Sequence, residues 1–285
     1  MPQLVLAVHG SADPEAADTI ARLAALITGL GGIQPLIGHL DVQRPSLADV
    51  LARLSGDGRG RGLEQGLDLG PFEAPYANPS PDPYAAPYAG PERAGRGAVV
   101  VPLLLGDGYH RHIDLPATVA AARADGLECA LTAGLSGEVA VAFSLYERLR
   151  AAERRAGGKA DAIVLASAGS GRPGGTDGAV RAARQLRQLL GGERGPVPVR
   201  AAYCSSTGPD APAVPEMIER LRVSGHRRIA LATHLLAPGR FTRALAGTDG
   251  AWAVSAPLAD HPRLAHLVLR RYTAGRLALT PDLAA

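Results

Sequence analysis

Three side chains in the first half of the chain are of kinds that hold metals or move protons, and each stands at the end of a short apolar run. His9 follows Leu4–Val8, Asp41 falls near the end of Pro35–Val42, and His110 follows Ala98–Leu105 within Gly106-Asp107-Gly108-Tyr109-His110. Imidazole has a reference pKa of about 6.5, so near neutrality it either ligates a first-row divalent ion or takes up a proton. Two imidazoles leave coordination positions open, which suits an ion that must be passed on. A carboxylate such as Asp41 orients an imidazole from its far side. Gly10, Ser11, Gly108 and Tyr109 flank the two histidines as candidate substrate-binding residues, Gly10 and Ser11 through backbone N–H groups or else as formers of the turn before a helix.

The elements that must position these groups alternate between strand and helix. Leu4–Val8 is too short for a helix and reads as a parallel strand covered on both faces. Asp13 and Pro14 open an amphipathic helix over Glu15–Leu30. Pro35–Val42 is the second strand, and Ser46 with Asp49 forms a capping box opening Leu47–Leu54. Ala98–Leu105 is the third strand, and Asp114 caps a helix through Ala124 with Pro116 in its first turn. Glu128–Ala133 is the fourth strand, and Val139–Arg155 is a long closing helix. This order predicts an α/β fold of doubly wound parallel sheets flanked by helices, with ligands beyond the carboxyl ends of the strands.

The chain is written twice. Val5-Leu6-Ala7-Val8-His9-Gly10-Ser11 returns as Val164-Leu165-Ala166-Ser167-Ala168-Gly169-Ser170, Leu103–His110 as His234–Phe241, and Ala130–Leu135 as Ala253–Leu258. Two lobes follow, residues 1–156 and 157–285. His9 to Ala168 is an offset of 159, and His110 to Phe241 one of 131, so the first lobe carries about 28 extra residues. They fall in Gly56–Gly97, whose Gly, Pro, Ala and Tyr content reads as a flexible insertion, a linker or a lid. At the positions matching His9, Asp41 and His110 stand Ala168, Cys204 and Phe241. Loss of both imidazoles while the neighbouring glycines stay points to one active lobe and one degenerate lobe.

Composition excludes several functions. The net charge is +3 without a dense Lys/Arg block and aromatics are 4%, which argues against a nucleic-acid stacking surface. No apolar run approaches membrane-spanning length, and the start of the chain reads as a buried strand with no basic leader, so a cytoplasmic protein is expected. Cys129 and Cys204 read as buried thiols. Gly171–Gly178 lacks the lysine of a phosphate loop and reads as a turn. His39 is expected to serve packing, His112 to be a solvated loop residue although it is an alternative ligand, and His226, His261 and His266 to lie at the surface.

The motifs themselves resemble a known family. His9-Gly10-Ser11, Asp41-Val42-Gln43-Arg44-Pro45-Ser46-Leu47, and Pro102 through Tyr109-His110 to Asp114-Leu115-Pro116 are similar to the sirohydrochlorin chelatases of the CbiX and SirB type, over nearly the whole chain except Gly56–Gly97. The resemblance implies a lyase that inserts a divalent metal into a tetrapyrrole without ATP, with Fe²⁺ for siroheme favoured and Co²⁺ for cobalamin the alternative. It implies that His9 and His110 hold the metal and assist pyrrole deprotonation, with Asp41 where the family usually has glutamate. No tightly bound cofactor is implied, the metal being a substrate. Fused lobes supply a cleft within one chain, which leaves both a monomer and a homodimer open. The alternatives are a non-catalytic tetrapyrrole or metal carrier, or a nickel- or cobalt-specific chelatase of the same family.

Overall fold

The computed structural model describes residues 1–56, 97–106, 108–205 and 211–279. The Gly/Pro-rich insertion lies almost wholly outside them. In the first lobe β1 (Gln3–Val8), β2 (Leu36–His39), β3 (Gly97–Pro102) and β4 (Glu128–Leu131) form a parallel sheet in the order β2-β1-β3-β4. In the second, β5 (Ala162–Ser167), β6 (Val199–Tyr203), β7 (Ile229–His234) and β8 (Ala253–Val254) repeat that order as β6-β5-β7-β8. Strands two, three and four end short of the apolar runs read for them. The paired lobes and doubly wound sheets are those expected.

The helices are α1 (Pro14–Gly31), α2 (Leu47–Leu54), α3 (Leu115–Ala124), α4 (Val139–Arg155), α5 (Asp177–Arg194), α6 (Val214–Val223), α7 (Arg240–Ala246) and α8 (Pro262–Leu279). Asp13 caps α1 by accepting from the Glu15 N–H at 3.1 Å, and α2 opens on the Ser46–Asp49 capping box, bonded in both directions. Among the described residues no helix is long and apolar enough to cross a membrane.

Two helices are exchanged between the lobes. α4 follows β4 in sequence but packs on β7, β8 and α5, while the C-terminal α8 returns to β3, β4 and α1. The inner faces of both sheets therefore share one core, in which Leu4, Leu6 and Val99 join Leu145, Leu149, Ile163, Leu165 and Tyr272. Backbones approach closely here: a Cβ on Gly275 of α8 would stand 2.5 Å from a Val99 methyl of β3. The Tyr272 hydroxyl donates to the Pro2 carbonyl at 2.7 Å, tying the two ends of the chain together. His261 belongs to this seam and not to the surface where it was expected. It is 7% exposed, with Nδ1 3.3 Å from the Ser144 hydroxyl and Nε2 3.0 Å from a Glu147 oxygen, because α4 and α8 close over it. His226 is half-buried beside Asp161, and His266 is exposed.

Candidate functional site

Parallel strands deliver their carboxyl ends to the same side of each lobe. There a cavity of about 590 Å³ opens between the lobes, lined from both. His9 and His110 reach it from the first lobe. Their ring centroids lie 4.8 Å apart, with the planes inclined at 79°. Residues a hundred positions apart in sequence thus meet at one cavity wall, because β1 and β3 are hydrogen-bonded neighbours.

The His9 loop is held by close backbone contacts. The His9 carbonyl accepts from the Asp41 N–H at 3.0 Å, and the Ser11 N–H donates to the Gln43 side chain at 3.0 Å. Gly10 has φ +95°, and a Cβ there would lie 2.1 Å from the Asp41 carbonyl oxygen. Backbone conformation and space both demand glycine. Gly10→Ala is expected to cost about 2 kcal/mol or more of stability, read as a lowered midpoint in chemical denaturation; an unchanged midpoint would contradict the close approach. The second lobe repeats the arrangement, with φ +100° at Gly169 and the Ser205 carbonyl 2.1 Å from its built Cβ. The Ser205 N–H donates to the Ala168 carbonyl as Asp41 does to His9. The counterpart of Asp41 is therefore Ser205 and not Cys204, which aligns with Leu40.

Asp41 does not orient an imidazole. Its carboxylate accepts from the adjacent Val42 N–H at 2.8 Å, which steadies Val42 at φ +65°, and Asp41 is not among the residues lining the cavity. Asp114 is the carboxylate that bonds an imidazole of the His9–His110 pair. A π-helical turn, His110–Asp114, precedes α3, and His110 Nδ1 lies 2.5 Å from Asp114 Oδ2. Against a carboxylate acceptor Nδ1 must carry the proton, which leaves Nε2 for a ligand. Asp114 makes no capping bond to α3, contrary to expectation, because the wider π turn carries its side chain back to the histidine four residues earlier. That four-residue spacing is visible in the sequence and was the signal available for the pair.

Gly10, Ser11, Gly108 and Tyr109 all line the cavity, and Tyr109 is largely exposed at its rim. The Ser11 hydroxyl accepts from the Asp13 N–H, as that of Ser170 does from Arg172, so this turn is common to both lobes. The N-terminus of α1 holds the Asp13 carboxylate. That group is paired with Arg243 of the second lobe at 2.6 Å. His39 is buried and bonds the Pro45 carbonyl through Nδ1 at 3.1 Å, yet it also belongs to the cavity lining, and His112 is exposed outside that lining. Among the described residues no group of three His, Cys, Asp or Glu side chains could hold a metal ion. The described lining includes Arg111 and Arg240 and no acidic side chain.

The second lobe contributes an imidazole that the reading of the sequence passed over. His234, at the end of β7, lines the cavity although it is only 1% exposed. Burial lowers its pKa to about 4. A histidine neutral in the folded chain and near 6.5 when unfolded takes up its proton more readily in the unfolded state. Its contribution to stability is therefore complete above pH 6.5 and is lost as pH falls from 6.5 toward 4, roughly 3 kcal/mol in all. Denaturant unfolding across that window is expected to show the loss, and His234→Phe to flatten it; equal slopes would contradict it. Burial shifts His261 in the same direction.

The geometry can be set beside known proteins. The fold is the two-lobed chelatase-like fold. Residues 3–61 match the CbiX family model. No curated protein matches the chain in sequence. SirB from Bacillus subtilis with Fe³⁺ shares 18% identity at a TM-score of 0.66, covering 100% of this chain and 98% of that one. SirB from Bacillus subtilis subspecies spizizenii in complex with cobalt shares 17% at 0.63, with the same coverage. CbiX of denitrifying bacteria, described as the terminal enzyme of siroheme biosynthesis, shares 14% at 0.56, covering 95% and 98%. The resemblance read from the motifs thus holds for the fold of the whole chain and for the sequence of residues 3–61.

Proposed function

We propose that the chain inserts a divalent metal into sirohydrochlorin, with Fe²⁺ the favoured substrate ion and Co²⁺ the alternative. The observation that carries this reading is the pair of imidazoles, His9 and His110, meeting edge to face at 4.8 Å on the wall of an interlobe cavity. With metal–imidazole bonds of about 2.1 Å, rings at that separation fit two adjacent positions of one ion. Further positions stay open for water and then for pyrrole nitrogens. A closed cage would hold the metal too firmly to release it.

Insertion exchanges one divalent ion for two pyrrole protons, so the macrocycle's charge is unchanged. As the ion moves to the macrocycle, the imidazole nitrogens that held it regain their lone pairs and can accept those protons. The Asp114 carboxylate, accepting from His110 Nδ1–H, fixes the ring's orientation and leaves Nε2 as the nitrogen that meets the ion. Arg111 and Arg240, with no described carboxylate in the lining, suit a ligand whose periphery is carboxylate. No step calls for ATP, in keeping with the absence of a lysine-bearing phosphate loop in Gly171–Gly178.

The test is anaerobic insertion followed by absorbance, with sirohydrochlorin and Fe²⁺ or Co²⁺ and the protein-free reaction as baseline. Acceleration above the spontaneous rate is expected. Tight binding of sirohydrochlorin without acceleration would replace this reading with that of a carrier.

A further inference from the structure

His234 is among the buried titratable groups that the mechanism above leaves unused. Among the described residues His234 Nε2 has no hydrogen-bond partner, although it is buried and its residue lines the cavity. A buried polar atom without a partner is unusual in a folded protein and calls for an occupant. Its other nitrogen is engaged: Nδ1 lies 3.1 Å from the Ser167 hydroxyl, at the adjacent strand end, where β5 and β7 pair Ser167 with His234. Either the hydroxyl donates to Nδ1 or Nδ1–H donates to the hydroxyl, according to the ring's tautomer. If Ser167 donates to Nδ1, the ring hydrogen sits on Nε2, and a donor buried in the cavity wall is left without an acceptor.

We propose that His234 is a substrate-binding residue, its Nε2–H anchoring a carboxylate of the tetrapyrrole on the second-lobe side of the cavity. The degenerate lobe is then more than scaffold. Where the first lobe has Leu103 and Val8, the second has His234 and Ser167, a polar pair at the matching strand ends. One lobe presents imidazoles to the metal, and the other presents an N–H to the macrocycle's rim. This assignment rests on the chelatase reading, but it predicts a binding defect separable from the metal site. The paired rings that define that site are those of His9 and His110, both in the first lobe.

The experiment measures binding of metal-free sirohydrochlorin by absorbance and, separately, of Co²⁺ to the apo chain. His234→Phe keeps the ring's bulk and removes the donor, and is expected to weaken sirohydrochlorin binding about tenfold while Co²⁺ affinity stays put. His234→Gln restores an N–H near the same place and is expected to recover most of the loss. In the wild-type chain, nitrogen NMR is expected to show the Nε2–H tautomer, with its signal shifting when sirohydrochlorin is added; this readout needs no variant to fold. Equal binding by wild type and His234→Phe, or an Nε2 signal unmoved by the ligand, overturns the anchor. Loss of Co²⁺ affinity in His234→Phe would make it a metal ligand and also overturn it. Failure of the wild-type chain to bind sirohydrochlorin at all would instead overturn the reading of the cavity from which the anchor is drawn.

Discussion

Replacing either His9 or His110 by alanine is expected to bring metal insertion down to the spontaneous rate. Each variant removes one of only two ligands and one of the proton acceptors. Acid–base assistance alone contributes about 10²–10⁴-fold, and loss of a ligand releases the ion to water. The fold should survive both changes. His9 is exposed and His110 half-buried, and neither ring fills the shared core. Absorbance kinetics beside a circular dichroism melt check the two statements together. Insertion at the wild-type rate in both variants would end the chelatase assignment.

Asp114→Asn is expected to lower metal affinity about 10–100-fold, the usual cost of losing the outer partner of a metal-bound histidine. The asparagine keeps the size of the side chain and places an amide beside His110 Nδ1. It no longer offers a negative charge to the ring, and either the proton on Nδ1 or the ring's orientation becomes less secure. Because Asp114 makes no capping bond to α3, the change should leave the helix intact. Co²⁺ titration and a thermal melt separate the two effects. Asp41→Asn is expected to do much less to metal affinity, since its carboxylate serves the Val42 turn. A larger loss in Asp41→Asn than in Asp114→Asn would restore Asp41 to the role that the resemblance suggests for it.

The contrast between these carboxylates shows what the sequence could and could not convey. Strand runs such as Leu4–Val8, the capping box at Ser46 and the helix over Val139–Arg155 are local signals, and the structure repeats them nearly residue for residue. The meeting of His9 and His110 was also legible, since parallel strands of one sheet send their ends to one side. Asp114 was not, because aspartate before a helix suits both a cap and a histidine partner four residues back; only the π turn decides between them. The exchange of α4 and α8 was hidden for a different reason. Amphipathic periodicity says that a helix buries one face but not against which sheet, and His261 was misplaced by the same ignorance. His234 escaped notice because a histidine opposite Leu103 in the repeat looks like drift, until its depth in the cavity wall is seen.

The central claim is that His9 and His110 hold one ion together. X-ray absorption of the chain loaded with one equivalent of Co²⁺ tests this most directly. Two imidazole nitrogens at about 2.1 Å, with water oxygens completing the shell, are the predicted result, falling to one imidazole in His9→Ala. A shell without imidazole, or an unaltered shell in that variant, would contradict it.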